Sequence, residues 1–284
     1  MANLLVLKRR TQIATNVSKT TRAMQMIAAS KLKRAQDSAR RGMPYVEKLT
    51  QVAQSTVLRV DKENIHGYMK EGIKSDKTLL IVLSSDKGLV GSLVSNLIGE
   101  ILNFKTKDTL FITVGKKAER AVAKLGHEIV ASFPFGTTLP SFEVVYPIVQ
   151  IVDDYFLSNK VSKVMILSAK FESIFIQKPQ ITYLLPVKLE AFEEKNSKNI
   201  MLFEPSISEL LPTLLRHFLE ITIYQNILES YASEQAARMI AMKNATDNAK
   251  ELVDELTLDY NKGRQEKITN EILDISSATL ALYV

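Results

Sequence analysis

Two long stretches of the chain carry a helical apolar period, and the stretch between them switches to a strand period. From Leu211, steps of three and four residues reach Leu214, Phe218, Ile221, Gln225, Leu228, Ala232, Gln235, Met239, Met242, Thr246, Ala249, Val253, Leu256 and Tyr260. Apolar residues fill most of these positions over about seven heptads, which predicts a helix wound on a partner in a left-handed supercoil. Near the N-terminus the same stepping gives Leu4, Leu7, Thr11, Ala14, Ser18, Thr21, Gln25, Ala28, Leu32, Ala35 and Ala39. These are mostly small residues, which let a partner helix come close. The two helices are therefore expected to pair, with polar Gln225, Gln235 and Thr246 fixing the register. A second stripe, Ile13, Val17, Thr20, Met24 and Ile27, lies on another part of the first helix. A helix of about 55 residues would run roughly 80 Å, more than a small domain can cover. The second stripe is accordingly read as facing something outside the chain.

Between the helices, Thr78–Ser85, Thr109–Gly115, Glu128–Phe133 and Lys163–Phe171 read as short buried strands bounded by turn residues. Val90–Phe104, Lys116–Leu125 and Ser141–Leu157 read as the helices between them, a βαβ pattern with a largely parallel sheet. "IFIQKPQITYLLPV" reads as a strand added at the edge. The expected organisation is an N-terminal helix over 1–57, a connector over 58–77 and an α/β domain over 78–190. A second connector over 191–206 and a C-terminal helix over 207–284 complete it.

One stretch breaks the pattern. In "YNKGRQEKIT", Tyr260 to Thr269, a glycine and the polar Arg264 and Gln265 stand where a coiled coil wants leucine. Glycine inside a helix costs about 1 kcal/mol relative to alanine. The spacing there becomes a run of fours, from Leu256 through Tyr260, Arg264 and Ile268 to Ile272, a local unwinding of the supercoil. The C-terminal helix also outruns the N-terminal one, so the apolar Ile268, Ile272, Ile275, Leu280 and Leu282 need cover from elsewhere.

Charge sharpens the pairing of the helices. Residues 1–59 hold twelve Lys/Arg against Asp37 and Glu47, whereas residues 201–284 hold seven bases against thirteen acids. A basic and an acidic helix attract one another, and such asymmetry marks interaction surfaces. The chain has no cysteine, which excludes disulfides, thiol nucleophiles and thiolate metal sites. His66, His127 and His217 are far apart, which argues against a histidine metal cluster. No run of about 18 apolar residues occurs to span a bilayer.

An α/β domain invites a nucleotide test, and the loops fail it. "SSDKGLVGSLVSN" places Gly88 and Gly91 three apart with no following Gly-Lys-Ser/Thr, and the three-glycine dinucleotide fingerprint is absent. "VGKKAER" offers one glycine and no magnesium acceptor. Adjacent carboxylates at Asp153/Asp154, Glu193/Glu194 and Asp254/Glu255 would point about 100° apart on a helix, as solvated faces do. No catalytic residue, metal site or cofactor is expected.

Three stretches, "TTRAMQMIAASKLKRAQ", "SSDKGLVGSL" and "YASEQAARMIAMKNATDNAKELVDELTLDYNKGRQEKITNEI", together resemble the γ subunit of the F-type ATP synthase. With the matching order of segments, the resemblance covers essentially the whole chain. It implies an antiparallel coiled coil of the terminal helices with an inserted Rossmann-like α/β domain. It further implies a rotor shaft standing in a hexamer of α and β subunits, with its foot on the ε subunit and the membrane ring of c subunits. Residue by residue, it assigns Arg264 and Gln265 to a catch loop of β, and Met24 to the acidic lever arm of β. Lys31, Lys33 and Arg34 would be electrostatic partners near Met24, and Lys87 a further basic contact with β. The tip from Ile268 through Ile272, Ile275, Leu280 and Leu282 would sit in the hexamer's apolar sleeve. Phe203 and Glu204 would lie near the c ring. The chain departs from the family where relatives often have a second glycine and an asparagine and this one has Ser92 and Val94. It departs again at Ser277 and Ala278, where a glycine is common. Without a transit peptide, the expected place is the cytoplasmic face of a bacterial plasma membrane, the mitochondrial matrix side being the alternative. The competing readings are a coiled-coil adaptor and a nucleic-acid-binding protein using the basic N-terminal helix, whose charge would give salt-sensitive affinity for phosphates.

Overall fold

The structure is a computed structural model that describes residues 4–57, 59, 66–70, 76–105, 108–187, 204 and 206–282, with the side chains of the last helix described to residue 276. Most of the two expected connectors lies outside the described residues. Helix α1 is Leu4–Val57 and α5 is Ile207–Leu282. Pro212 falls in the second turn of α5, where it has no N–H to give to the Ser208 carbonyl. The chain divides into two compact units, one made of residues up to Ile27 with those from Met239 onward, the other of Ala28–Arg238.

In the first unit the helices pair antiparallel. Leu7 and Ala14 pack on Leu256, flanked by Val253 and Tyr260. The hydroxyls of Thr21 and Thr246 lie 2.7 Å apart. A Cβ on Gly263 would lie 3.3 Å from the Leu4 side chain, so this is where the start of α1 closes on α5. The step from Leu4 to Thr21 on α1 thus matches the reverse step from Gly263 to Thr246 on α5. Of the expected α1 stripe, Leu7, Ala14, Ala28, Leu32 and Ala35 are buried and the other positions half-buried, while every member of the second stripe is exposed.

In the second unit a five-stranded sheet runs in the order β3-β2-β1-β4-β5. Its strands are β1 Thr78–Leu83, β2 Thr109–Val114, β3 Glu128–Phe133, β4 Lys163–Phe171 and β5 Gln177–Leu185. The first four are parallel and β5 joins the edge antiparallel. The near-continuous apolar runs in β1, β2 and β4 follow from burial on both faces. On one face Leu80, Val82, Phe111 and Leu167 pack with Leu97 and Ile101 of α2 (Leu93–Ile101) and Val122 of α3 (Lys116–Lys124). Helix α4 (Val145–Phe156), with Ile148, Val149 and Val152 fully buried, packs on β4. Helix α2 starts three residues later than the sequence suggests, because Leu89 and Gly91 take φ of 64° and 59° and hold the preceding residues in a turn. The expected helix from Ser141 opens instead with a 3-10 turn, Phe142–Val144.

Candidate functional site

The carboxyl ends of β1 and β4 form the point where strand order reverses, the usual ligand crevice of such sheets. Here it is filled by α5. Pairing of β1 with β4 ends at Val82 and Leu167, leaving the next backbone groups of β4 without a strand partner there. Helix α5 satisfies them with side chains. Ala169 N–H donates to Ser230 Oγ at 3.1 Å, and Ser233 Oγ donates to the Ala169 carbonyl at 2.9 Å. Phe171 N–H donates to Glu229 at 3.2 Å, and Ser168 Oγ donates to Asn226 Oδ1 at 3.0 Å. Val90, Leu93, Ala169 and Ala237 close an apolar contact beside these bonds. Buried backbone groups demand partners, and these groups of β4 have theirs within the chain.

The neighbouring loops are tied together by Asp86, in the turn after β1. Its carboxylate accepts from the backbone N–H of Lys116 at 2.9 Å, of Phe135 at 3.4 Å and of Gly136 at 2.8 Å. The side chain therefore caps α3 and holds the loop after β3, occupying the amides that a phosphate would use. The loop is held from the helices as well. Lys31 Nζ of α1 donates to the Thr137 carbonyl at 2.6 Å, and Tyr231 of α5 donates to the same oxygen at 3.4 Å. Tyr224 donates to the Pro140 carbonyl at 3.3 Å.

Two carboxylates in this unit sit in unusual surroundings. Glu234 is buried and bonded to Arg238 at 2.6 Å, while its other oxygen, Oε2, has no hydrogen-bond partner. Burial raises its pKa, opposed by Arg238 and Lys31 and reinforced by Asp86. Asp153 is also raised by burial, against the hydrogen bond it accepts from Tyr68 and the Arg216 charge at 3.7 Å. That cluster continues through Glu220 to His217 at 3.2 Å and on to the Tyr45 hydroxyl at 2.6 Å. A carboxyl with a raised native pKa binds its proton more tightly when folded. Its cost to stability is absent below the unfolded value near 4 and grows as pH rises to the native one. Glu234→Gln should therefore gain on the wild type as pH rises from about 4 toward neutrality. Urea unfolding of both chains across that range checks it, and parallel curves would contradict the placement of Glu234.

The anticipated contact residues fall in both units. Met24, Arg264 and Gln265 belong to the first, and all three are exposed. Lys33, Arg34 and Lys87 are exposed on the second, but the half-buried Lys31 is engaged within the chain. Ile268 is 47% exposed, Ile272 60% and Ile275 68%. Glu204 is exposed, whereas Phe203 and the side chains of Leu280 and Leu282 lie outside the described residues. Among the described residues no His/Asp/Glu group could hold a metal ion, and no helix is long and apolar enough to cross a membrane.

Comparison with known proteins settles the lineage. The ATP synthase family profile matches residues 3–282. The ATP synthase gamma chain of Dehalococcoides mccartyi (strain BAV1) is 39% identical, the match covering 99% of this chain and all of that one. The chain belongs to the ATP synthase gamma-chain family. The gamma chain of Akkermansia muciniphila is 34% identical over the same shares. In solved structures, a chain of the Euglena gracilis mitochondrial ATP synthase, seen with OSCP, F1 and c-ring, has the same fold at a TM-score of 0.72. That match covers 98% of this chain and 94% of the other, at 18% identity. Asp86, Tyr231, Glu234 and Arg238 were not singled out from the sequence, since ties made to backbone atoms leave no periodic trace.

Proposed function

We propose that the chain is the rotor shaft of an F-type ATP synthase, coupling ion-driven rotation of a membrane c ring to successive conformations of the catalytic β subunits. The observation that carries this, beside the family, is the outward surface of the two helices. Ile13, Val17, Met24 and Ile27 on α1, and Ile268 and Ile272 on α5, are all exposed at helical spacing. An apolar strip of this kind calls for a surrounding partner. The partners are the α/β hexamer around the helices, and the ε subunit and c ring at the foot.

The chain has no catalytic role of its own in this reading, and ATP is handled by the subunits it turns within. Rotation matters because the shaft presents a different face to each β subunit in turn. A conformational equilibrium moves only as far as the contacts favour one state over the other. Arg264 and Gln265 supply polar catches among shallow apolar contacts, and Met24 with Lys33, Arg34 and Lys87 supplies an apolar and cationic face for an acidic segment. The chain is held at the cytoplasmic face of a bacterial plasma membrane through the complex. The relatives and fold match reported above support neither the nucleic-acid nor the adaptor reading.

The test is ATP hydrolysis by α and β subunits from the same source, with and without this chain. A complex of hexamer and one copy, with multisite turnover that depends on it, is expected. A chain that neither joins the hexamer nor changes its rate would sink the rotor reading. Within that complex, Arg264→Ala with Gln265→Ala should lower turnover roughly tenfold, the scale of two lost polar contacts. Its urea midpoint should stay at the wild-type value, because both side chains are exposed.

A further inference from the structure

We propose that the loop over residues 134–140, between β3 and α4, is the joint through which torque passes between the α/β domain and the two long helices, with Lys31 and Asp86 as its positioning residues. This rests on the rotor reading. A shaft that carries a domain must be fixed to it at points that resist sliding. The sheet is fastened to α5 along β4, as described above, and among the described residues the bonds of that seam come from α5. The loop reaches both helices. Its Thr137 carbonyl accepts at once from Lys31 of α1 and Tyr231 of α5, as an oxygen with two lone pairs can. Tyr224 of α5 holds the Pro140 carbonyl, two residues before the turn that opens α4. From the sheet side, Asp86 holds Phe135 and Gly136 by their amides. Proline at 134 and 140 limits φ at both ends of the loop.

Every one of these bonds ends on backbone of the loop, so the geometry serves as a fixture and not as a recognition surface. The bond from Lys31 is short and charge-assisted, a type stronger than a bond between neutral groups. That gives Lys31 a role inside the chain, in place of the outward contact with β that the family resemblance implies. It also predicts communication between residues that do not touch. Loosening Lys31 should free the amides that Asp86 holds, because one short loop carries both anchors.

The experiment uses the whole synthase in sealed vesicles, carrying wild-type chain, Lys31→Met, Lys31→Arg, Asp86→Asn or the Met/Asn double variant. Hydrogen exchange of the peptide spanning 134–140, ATP hydrolysis and ATP-driven ion pumping are measured on the same preparations. Exchange in that peptide should rise roughly fivefold in Lys31→Met and in Asp86→Asn. Pumping per ATP should fall by roughly the same factor. Lys31→Arg should retain wild-type behaviour, and the double variant should be no worse than the weaker single, since both release one loop. Unchanged exchange in Lys31→Met overturns the proposal, as does raised exchange with unchanged pumping per ATP. Additive losses in the double variant, with hydrolysis falling in step with pumping, would return Lys31 to a contact with β. If the wild-type chain itself confers no coupled pumping, it is the rotor reading that fails, whatever the loop does.

Discussion

Gly115→Ala should prevent the folded chain from accumulating. Gly115 follows β2 with φ of +111°, a conformation that side chains avoid, and an added Cβ would lie 1.9 Å from the Ser84 carbonyl oxygen. Neither partner can retreat. Ser84 N–H donates to the Val114 carbonyl at 2.9 Å, and Gly115 N–H donates to the Phe133 carbonyl at 2.8 Å. The turn is thus clamped between the central strands β1 and β2 and the edge strand β3. Overlap with backbone, added to the φ penalty, should cost about 4 kcal/mol or more. Soluble yield and urea unfolding check this. The contrasting change is Gly99→Ala in α2, where a Cβ meets nothing within 4 Å. It should gain about 0.5–1 kcal/mol from helix propensity and a less flexible unfolded chain. A Gly115→Ala chain with a wild-type midpoint would show that this turn is wrongly placed.

Arg238→Met is the second large effect. Arg238 pairs with Glu234 one turn earlier on α5, and the side chains are 18% and 6% exposed. Removing one member of a buried pair leaves the other charge without compensation, at a cost of roughly 3–5 kcal/mol. Because Glu234 already titrates high, part of that cost is avoided by protonation, so the loss should be larger at pH 8 than at pH 5. Replacing both, as Glu234→Leu with Arg238→Met, should recover most of the stability, since an apolar pair of similar size carries no desolvation penalty. Urea midpoints for the single and double variants at the two pH values measure this. A single variant as stable as the double would mean that the pair is not buried.

The helical periods were legible in the sequence because they report burial directly. The small-residue stripe from Leu4 to Ala39 is the inward face of α1, and the stripe from Ile13 to Ile27 is outward. The strands were legible for the same reason, as apolar runs covered on both faces. Boundaries set by turns were less so. Left-handed backbone at a leucine, as at Leu89, has no compositional mark, and it moved the start of α2. The puzzle at Gly263 resolved only in part. The close approach of Leu4 accounts for a small residue there, while Arg264 and Gln265 stand exposed beside it. Least legible were the ties of the second unit. Asp86 lies inside a quoted motif, yet its partners are amides thirty and fifty residues away. The acceptor of Lys31, a carbonyl in a distant loop, is equally invisible in one dimension.

The filling of the crevice between β1 and β4 by α5 has a further consequence. An open sheet of this kind ordinarily keeps that cleft for a visitor, whose presence depends on its concentration. Here the occupant is tethered to its own host, so its local concentration is set by the chain and dilution cannot empty the cleft. A soluble molecule with a liking for the same strand ends would compete against an intramolecular rival that never diffuses away. The grip of the domain on its helix is therefore as durable as the fold, and indifferent to the swings in nucleotide level through which an ATP synthase must work.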